Sequence, residues 1–490
     1  MTPESVHNGQ RPVYQRIPSQ PENPFAALIP HQQIAVIPSF TLESGVTLSN
    51  VPVAYTTRGT LSPGGDNVMV ICHALTGSAD VGDWWGPLLG GPGRAFDTSR
   101  FFVVCMNSLG SPYGTASPVT AKDGDPSQGR YGPEFPLTTI RDDVQLHKLL
   151  LDELGVKQVA AVIGGSLGGM FVLEWAYFGK DYVRCIVPIA TSSRHSAWGI
   201  SWGEAQRQSI YADPKYEDGY YSFSDPPSTG LGAARMAALL TYRSRNSFEA
   251  RFGRNIPDPS RRQTIRERPT PATPSEAHFH IHNDGHKWTR SPSRKNSDGE
   301  QVHKFKEAGD VSHDPQFHGP KNGSSSSSLT GGEVIPTSSY FSAQSYLRYQ
   351  GGKFVKRFDS NCYIAMTRKL DTHDVSRGRA GTIADALAMI EQPTLVLGIE
   401  SDGLFTFAEQ QELAEHIKNA RLERIDSPEG HDAFLLQFEQ VNHYTLDFLR
   451  EVLPDILNKD SNGVVEESSV GELTKSSTFG EAEVEDITAW

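Results

Sequence analysis

Four short, almost unbroken apolar runs constrain this chain more than any other feature: Val68–His73, Phe101–Met106, Val159–Gly164 and Thr394–Ser401. Each is bounded by turn-forming residues and is rich in Val, Ile or Leu. Runs of this length suit strands covered on both faces, as in a parallel sheet. Helical patterns lie between some of them. Ile140–Leu154 ends at Gly155, a good C-cap position. Gly168–Phe178 follows its strand after a tight turn, and Phe407–Ile417 follows another. Strand, turn and helix in alternation predict an α/β architecture, a mostly parallel sheet flanked by helices with right-handed crossovers.

The rest of the chain is arranged around that core. With 490 residues there is room for more than one unit. Residues 1–38 are Pro- and Gln-rich and read as a flexible N-terminal segment, and an alternating stretch begins between Ile34 and Phe40. Residues 39–201 read as the first part of the core, 202–363 as a helical lid, 364–454 as the second part of the core and 455–490 as an acidic tail. Within the lid, about 247–339 is low in large aliphatics and contains Ser324–Ser328 and seven of the 16 histidines. Such a stretch buries too little apolar area to offset chain entropy and is expected to be disordered. The segments beside it, Trp202–Tyr242 and Tyr340–Tyr363, look helical.

The net charge of −13 argues against a nucleic-acid partner, and more than half of it lies in the tail, where nine acids face two bases. Four cysteines cannot make a dense disulfide framework, and Cys72 and Cys105 sit inside apolar runs. No apolar run reaches the roughly 18 residues that span a bilayer. The first 20 residues lack an apolar signal core. A cytoplasmic protein without a membrane partner is expected.

The chemistry centres on Gly164-Gly165-Ser166-Leu167-Gly168-Gly169, which directly follows the run Val159–Ile163 and opens an apolar helix pattern. This is Gly-x-Ser-x-Gly in a strand–turn–helix context. A serine at so sharp an elbow takes strained dihedrals, and small neighbours are needed where backbones approach. The helix N-terminus offers N–H groups to a developing oxyanion.

A serine needs a base and the base an orienting acid. In this architecture both come later in the chain, acid first. Asp402 ends the run Thr394–Ser401, at the edge where open sheets hold their ligands. His431 lies in a Gly-flanked loop between the strand-like Leu422–Ile425 and an apolar helix, Ala433–Leu449. The order Ser166, Asp402, His431, each after its own strand, predicts a catalytic triad. The loop His73–Gly77 supplies the second oxyanion donor. The backbone N–H groups of Leu75 and Leu167 are the expected pair. His73 could serve as a second base, or simply hydrogen-bond to hold its loop.

With these residues placed, the chain resembles the homoserine O-acetyltransferases of the α/β-hydrolase superfamily, the fungal type most closely. The segments that carry the resemblance include His73–Gly77, Asp83–Gly86, Asn107–Gly110, Tyr131–Pro136, Ile140–Asp143, Gly164–Met170, Thr241–Arg243, Ser401–Phe405 and Glu429–Asp432. Leu167 stands where many members of that family carry Met. The resemblance implies acetyl transfer from acetyl-CoA to L-homoserine by a ping-pong acetyl-serine mechanism, the committing step toward methionine. It implies that Arg235 and Tyr242, seven residues apart, contact the amino-acid acceptor, and that Asp432 meets its ammonium. Arg offers a planar fork for a carboxylate, which agrees. Asp432 could also cap the helix after it. Neither cofactor nor metal is expected beyond acetyl-CoA as co-substrate, and a homodimer is the candidate assembly. Serine O-acetyltransferase, O-succinyltransferase and esterase or thioesterase activities are the alternatives on this fold. The His-rich stretch His278–His282 suggests a competing, weaker reading as a metal-binding module.

Overall fold

The computed structural model describes residues 12–256, 274–285 and 341–458. They form two units. The first contains 12–247 and 351–458, and the second 248–256, 274–285 and 341–350.

Eleven strands occur among the described residues. They are β1 (Gln15–Ile17), β2 (Gln33–Thr41), β3 (Thr47–Arg58), β4 (Val68–Cys72), β5 (Leu89–Gly90), β6 (Phe96–Asp97), β7 (Phe102–Met106), β8 (Val159–Gly165), β9 (Val183–Ile189), β10 (Thr394–Ile399) and β11 (Ala420–Ile425). Nine build one sheet in the order β1-β2-β3-β7-β4-β8-β9-β10-β11, and β5 and β6 pair separately. The pairs from β1 to β7 along that order are antiparallel. Every later pair is parallel.

The four apolar runs are β4, β7, β8 and β10, and their side chains divide between two faces. Val68, Val70 and Cys72 join one buried cluster, while Met69 and Ile71 join the other. Val396 likewise faces opposite to Leu395, Leu397 and Ile399. Both faces exclude water, so no polar alternation shows in the sequence of these strands. All four cysteines are buried and free. From β4 the chain passes to β7 on one side and then to β8 on the other. Ligand crevices form where strand order reverses in this way, beyond the carboxyl ends of the strands. The ends of β4 and β8 are in register there, with Cys72 opposite Gly164.

The helix Ile140–Leu154 opens with a capping box, Thr139 Oγ accepting from Asp142 N while the Asp142 carboxylate accepts from Thr139 N. It closes on Gly155 in a left-handed conformation, φ 92°. From its buried face Asp143 pairs with Lys369 on the helix Ser360–Asp371, both side chains fully inaccessible. Asp143 also accepts from Leu109 N at 2.6 Å, and Lys369 donates to Leu109 O at 2.7 Å.

Several boundaries differ from the sequence reading. Residues 12–38 belong to the fold: β1 pairs with β2, Arg16 meets Glu153 at 2.6 Å, and buried Gln20 and Asn23 donate to Gly114 O and Pro112 O. Polar side chains take up backbone partners here, which composition conceals. The helices after β8 and β10 run Leu167–Ala176 and Phe407–His416. Between β9 and β10 the longer helices are Ala197–Tyr211, Ser228–Tyr242, Ser342–Phe354 and Ser360–Asp371. Ala433–Leu449 is not one helix: Ala433–Leu436 and Phe438–Val452 are separated at Gln437, φ −94° and ψ 54°.

Within the expected disordered stretch, Arg245–Arg251 and Pro274–His282 are helices. The remainder, 257–273 and 286–340, lies outside the described residues, as do 1–11 and most of the tail, 459–490. In the second unit Phe248, Phe252 and Tyr346 pack ring to ring, and Arg348 pairs with Asp284 at 2.9 Å. At the start of the tail, Asp455 pairs with Arg184 at 2.6 Å. No helix among the described residues is long and apolar enough to cross a membrane.

Candidate active site

Ser166 stands between β8 and the helix Leu167–Ala176 with φ 60° and ψ −126°, a strained conformation for a residue with a side chain. The elbow is held on several sides. Ser166 N donates to Ile189 O at 2.9 Å, and Ser166 O accepts from Thr191 Oγ at 2.8 Å and Gly169 N at 2.9 Å. The glycines are there for space. A Cβ at Gly168 would lie 2.1 Å from Cys72 O, and one at Gly165 would lie 2.4 Å from the Phe434 ring.

Asp402 follows β10 and is buried. Its Oδ1 accepts from Leu404 N at 2.8 Å and Phe405 N at 3.0 Å, which leaves Oδ2 to meet His431 Nδ1 at 2.7 Å. His431 sits on a single 3-10 turn, Gly430–Asp432, beyond β11. Phe405, Phe434 and Tyr242 surround its ring, with centroids 5.3, 5.5 and 6.2 Å away. Ser401 ties the two loops together, its Oγ donating to Ser427 O and accepting from Gly430 N. A carboxylate on Nδ1 fixes the neutral tautomer with its proton there, so that Nε2 is the basic nitrogen. Ser166 and His431 line one cavity.

The loop after β4 forms another wall. Leu75 lines the cavity, and Gly77 N donates to Ala74 O at 3.0 Å to close a turn. Leu167 is fully buried and is the first residue of its helix, so its N–H has no carbonyl four residues back. His73 is the loop-holding residue. Its Nδ1 meets Ala74 O at 2.8 Å and its Nε2 accepts from Ser108 N at 3.1 Å. Burial pushes its pKa down to about 4. It is not among the residues that line the cavity with Ser166.

Tyr242 and Asp432 line the cavity, but Arg235 is not among the lining residues. It is buried on the helix Ser228–Tyr242, its guanidinium carbon 5.3 Å from the centre of the Tyr242 ring and 4.9 Å from that of Phe354. Asp432 stands at the N-cap of the helix Ala433–Leu436, but its side chain makes no capping hydrogen bond there. Its Oδ2 instead forms an ion pair with Arg243, 2.9 Å from Nε.

Two basic residues here escaped the sequence reading. Arg243 closes the segment Thr241–Arg243, but its partners are about 190 positions away, and no role for it shows in the pattern. Arg357 donates to Thr76 O at 2.9 Å and to Tyr113 OH at 3.0 Å, bracing the loop after β4, and no local pattern marks it. His195, Trp202 and Gln206, from the helix Ala197–Tyr211 and its approach, also line the cavity. Tyr363 OH donates to Gln206 Oε1 at 2.8 Å. Among the described residues no group of three or more His, Cys, Asp or Glu could hold a metal ion.

The α/β-hydrolase-fold profile matches residues 67–438. A homoserine O-acetyltransferase from Emericella nidulans is 70% identical over 485 residues, covering 97% of this chain and 98% of its own length. The chain belongs to the homoserine O-acetyltransferase family. Other relatives in that family are the Schizosaccharomyces pombe protein, 56% identical, and the Saccharomyces cerevisiae protein, 52% identical, each alignment covering 96% of both chains. Among solved structures, a homoserine O-acetyltransferase from Bacillus anthracis is 19% identical with a TM-score of 0.60, over 88% of this chain and 99% of that one. Esterase E22 is 22% identical with a TM-score of 0.62, over 86% and 99%. At such identities the two structures share the fold with this family member, and the sequence relatives carry the family assignment.

Proposed function

We propose that this chain transfers the acetyl group of acetyl-CoA to the hydroxyl of L-homoserine, giving O-acetyl-L-homoserine and CoA. The observation that carries the mechanism is a strained serine sharing one cavity with an Asp-oriented histidine. His431 Nε2 takes the proton of Ser166 as Oγ attacks the thioester carbonyl. The N–H groups of Leu75 and Leu167 receive the oxyanion. The C–S bond breaks, CoA leaves as the thiol with the proton from His431, and acetyl-serine remains. The homoserine hydroxyl then gives its proton to His431 and attacks the acetyl carbonyl, and Ser166 recovers a proton as the ester leaves.

The acceptor is a zwitterion and needs both signs of charge. Asp432 offers the anion for its ammonium. Tyr242 and Arg235 receive its carboxylate, Arg235 acting from beside the Tyr242 ring, where a poorly solvated cation is felt further than in water. The apolar neighbours Phe405, Phe434 and Trp84 limit water at the acetyl-serine, which favours transfer over hydrolysis.

One assay tests the reading. Protein and acetyl-CoA are mixed with homoserine, serine or buffer alone, and free thiol and product mass are followed. Sustained thiol release only with homoserine, with product at the mass of its acetyl ester, is expected. Equal release with serine would move the acceptor assignment, and equal release in buffer would make the protein a thioesterase.

A further inference from the structure

A compact hydrogen-bonded strap joins the end of the helix Ser228–Tyr242 to the loop that carries His431, and Arg243 is its centre. Arg243 is buried, with a side chain 3% exposed. Its Nη1 donates to Glu429 Oε2 at 2.6 Å, and its Nε forms an ion pair with Asp432 Oδ2 at 2.9 Å. The same Glu429 oxygen accepts from Ser247 Oγ at 2.6 Å. Along the backbone, Ser244 N donates to Glu429 O at 3.3 Å, and Ser244 Oγ donates to Pro428 O. The two segments touch so closely that a Cβ on Gly430 would lie 2.4 Å from Ser244 N, at a residue with φ 77°. A guanidinium thus grips residues 429 and 432 on either side of His431.

We infer that Arg243 is a positioning residue for the acceptor half-reaction, fixing the Asp432 carboxylate toward the ammonium of the amino-acid acceptor. The inference rests on the role proposed above for Asp432. Three charges, two negative and one positive, meet behind the cavity wall that Asp432 lines, so their sum is a single negative charge. That matches one ammonium. Without the guanidinium, two carboxylates would share a buried corner, a geometry in which one tends to take up a proton. The hydrogen bond to Glu429 fixes the guanidinium and holds its charge beside Asp432, whereas a lysine carries its charge on one point donor. Acetyl-CoA needs no such anion, so the first half-reaction depends on Arg243 less than the second.

The test uses the full chain with Arg243→Gln and Arg243→Lys, and two acceptors, L-homoserine and 4-hydroxybutanoate, which lacks the ammonium. The CoA burst reports acetylation, and product mass reports transfer. In the wild type, homoserine is expected to be strongly preferred. Arg243→Gln is expected to raise the homoserine KM by roughly tenfold or more, since it leaves Asp432 beside Glu429 without the cation between them. It should change the burst rate much less and shrink the preference for homoserine over 4-hydroxybutanoate. Arg243→Lys should fall between the two and stands in if the Gln variant does not fold. Unchanged acceptor preference in a folded variant, or equal loss in burst and transfer, overturns the inference. A wild type that makes no acetyl ester of homoserine would instead strike the reading beneath it.

Discussion

Replacing Asp402 with Asn isolates what its charge does from what its shape does. The carboxylate makes three contacts: Oδ1 accepts from Leu404 N and Phe405 N, and Oδ2 meets His431 Nδ1. An Asn can keep the first two only if its carbonyl oxygen takes the Oδ1 place. Turned the other way, its NH2 would face two backbone N–H groups, and each buried donor left unmet costs about 1–3 kcal/mol. The NH2 must therefore face His431 Nδ1, which becomes the acceptor, and the ring proton moves to Nε2. That nitrogen can then no longer take the Ser166 proton. A reversed tautomer of this kind costs about 10⁴ in kcat, or roughly 5.5 kcal/mol of activation free energy. Because both backbone anchors survive, the melting temperature should move by only a few degrees, roughly 1 kcal/mol or less of stability. The assay pairs the CoA burst with a thermal melt. A folded Asp402→Asn protein whose burst rate stays within tenfold of wild type refutes the orienting role.

Other outcomes follow from the same geometry. Ser166→Ala should abolish the acetyl-enzyme seen by mass spectrometry after acetyl-CoA is added, and an adduct that persists would point to another nucleophile. Lys369→Met strands the buried Asp143 carboxylate and should destabilise by about 3–5 kcal/mol in urea unfolding, with Asp143→Leu added to it recovering part of the loss; a single variant as stable as wild type would contradict that. His73, His147, His195 and His373 are each pushed by burial to a pKa of about 4. A depressed histidine is neutral in the fold and takes up a proton on unfolding, so stability should fall as pH drops from about 6.5 toward 4. The slope is about 1.4 kcal/mol per pH unit for each proton taken up. Unfolding free energies that stay flat between pH 7 and 5 would rule this out.

The sheet could be read from the sequence because both of its faces are buried, so β4, β7, β8 and β10 appear as apolar blocks. Ser166, Asp402 and His431 could be read because each sits just past a strand, where chain order and topology leave few placements. What escaped depends on long-range partners. Arg357 braces Thr76 from 281 positions away, and nothing around it in the chain signals that. Gln20 and Asn23 look like linker residues because their hydrogen bonds go to distant carbonyls. The break at Gln437 is hidden because apolar residues recur on both sides of it. The short helix Ala433–Leu436 shares one buried cluster with the longer one after it. Its Phe434 ring lies against Gly165, and Phe434 O accepts from Trp85 Nε1 at 3.2 Å. Arg235 matched a motif by spacing, yet spacing carries no information on depth, and the structure buries it beside Tyr242.

The contacts at Gly165 and Gly168 leave Ser166 no slack of its own. Its bend is wedged between the ends of neighbouring strands and an aromatic ring, so it cannot soften while those strands hold. On heating, catalytic competence and the central sheet should therefore be lost together, in a single event, rather than the active centre fading first.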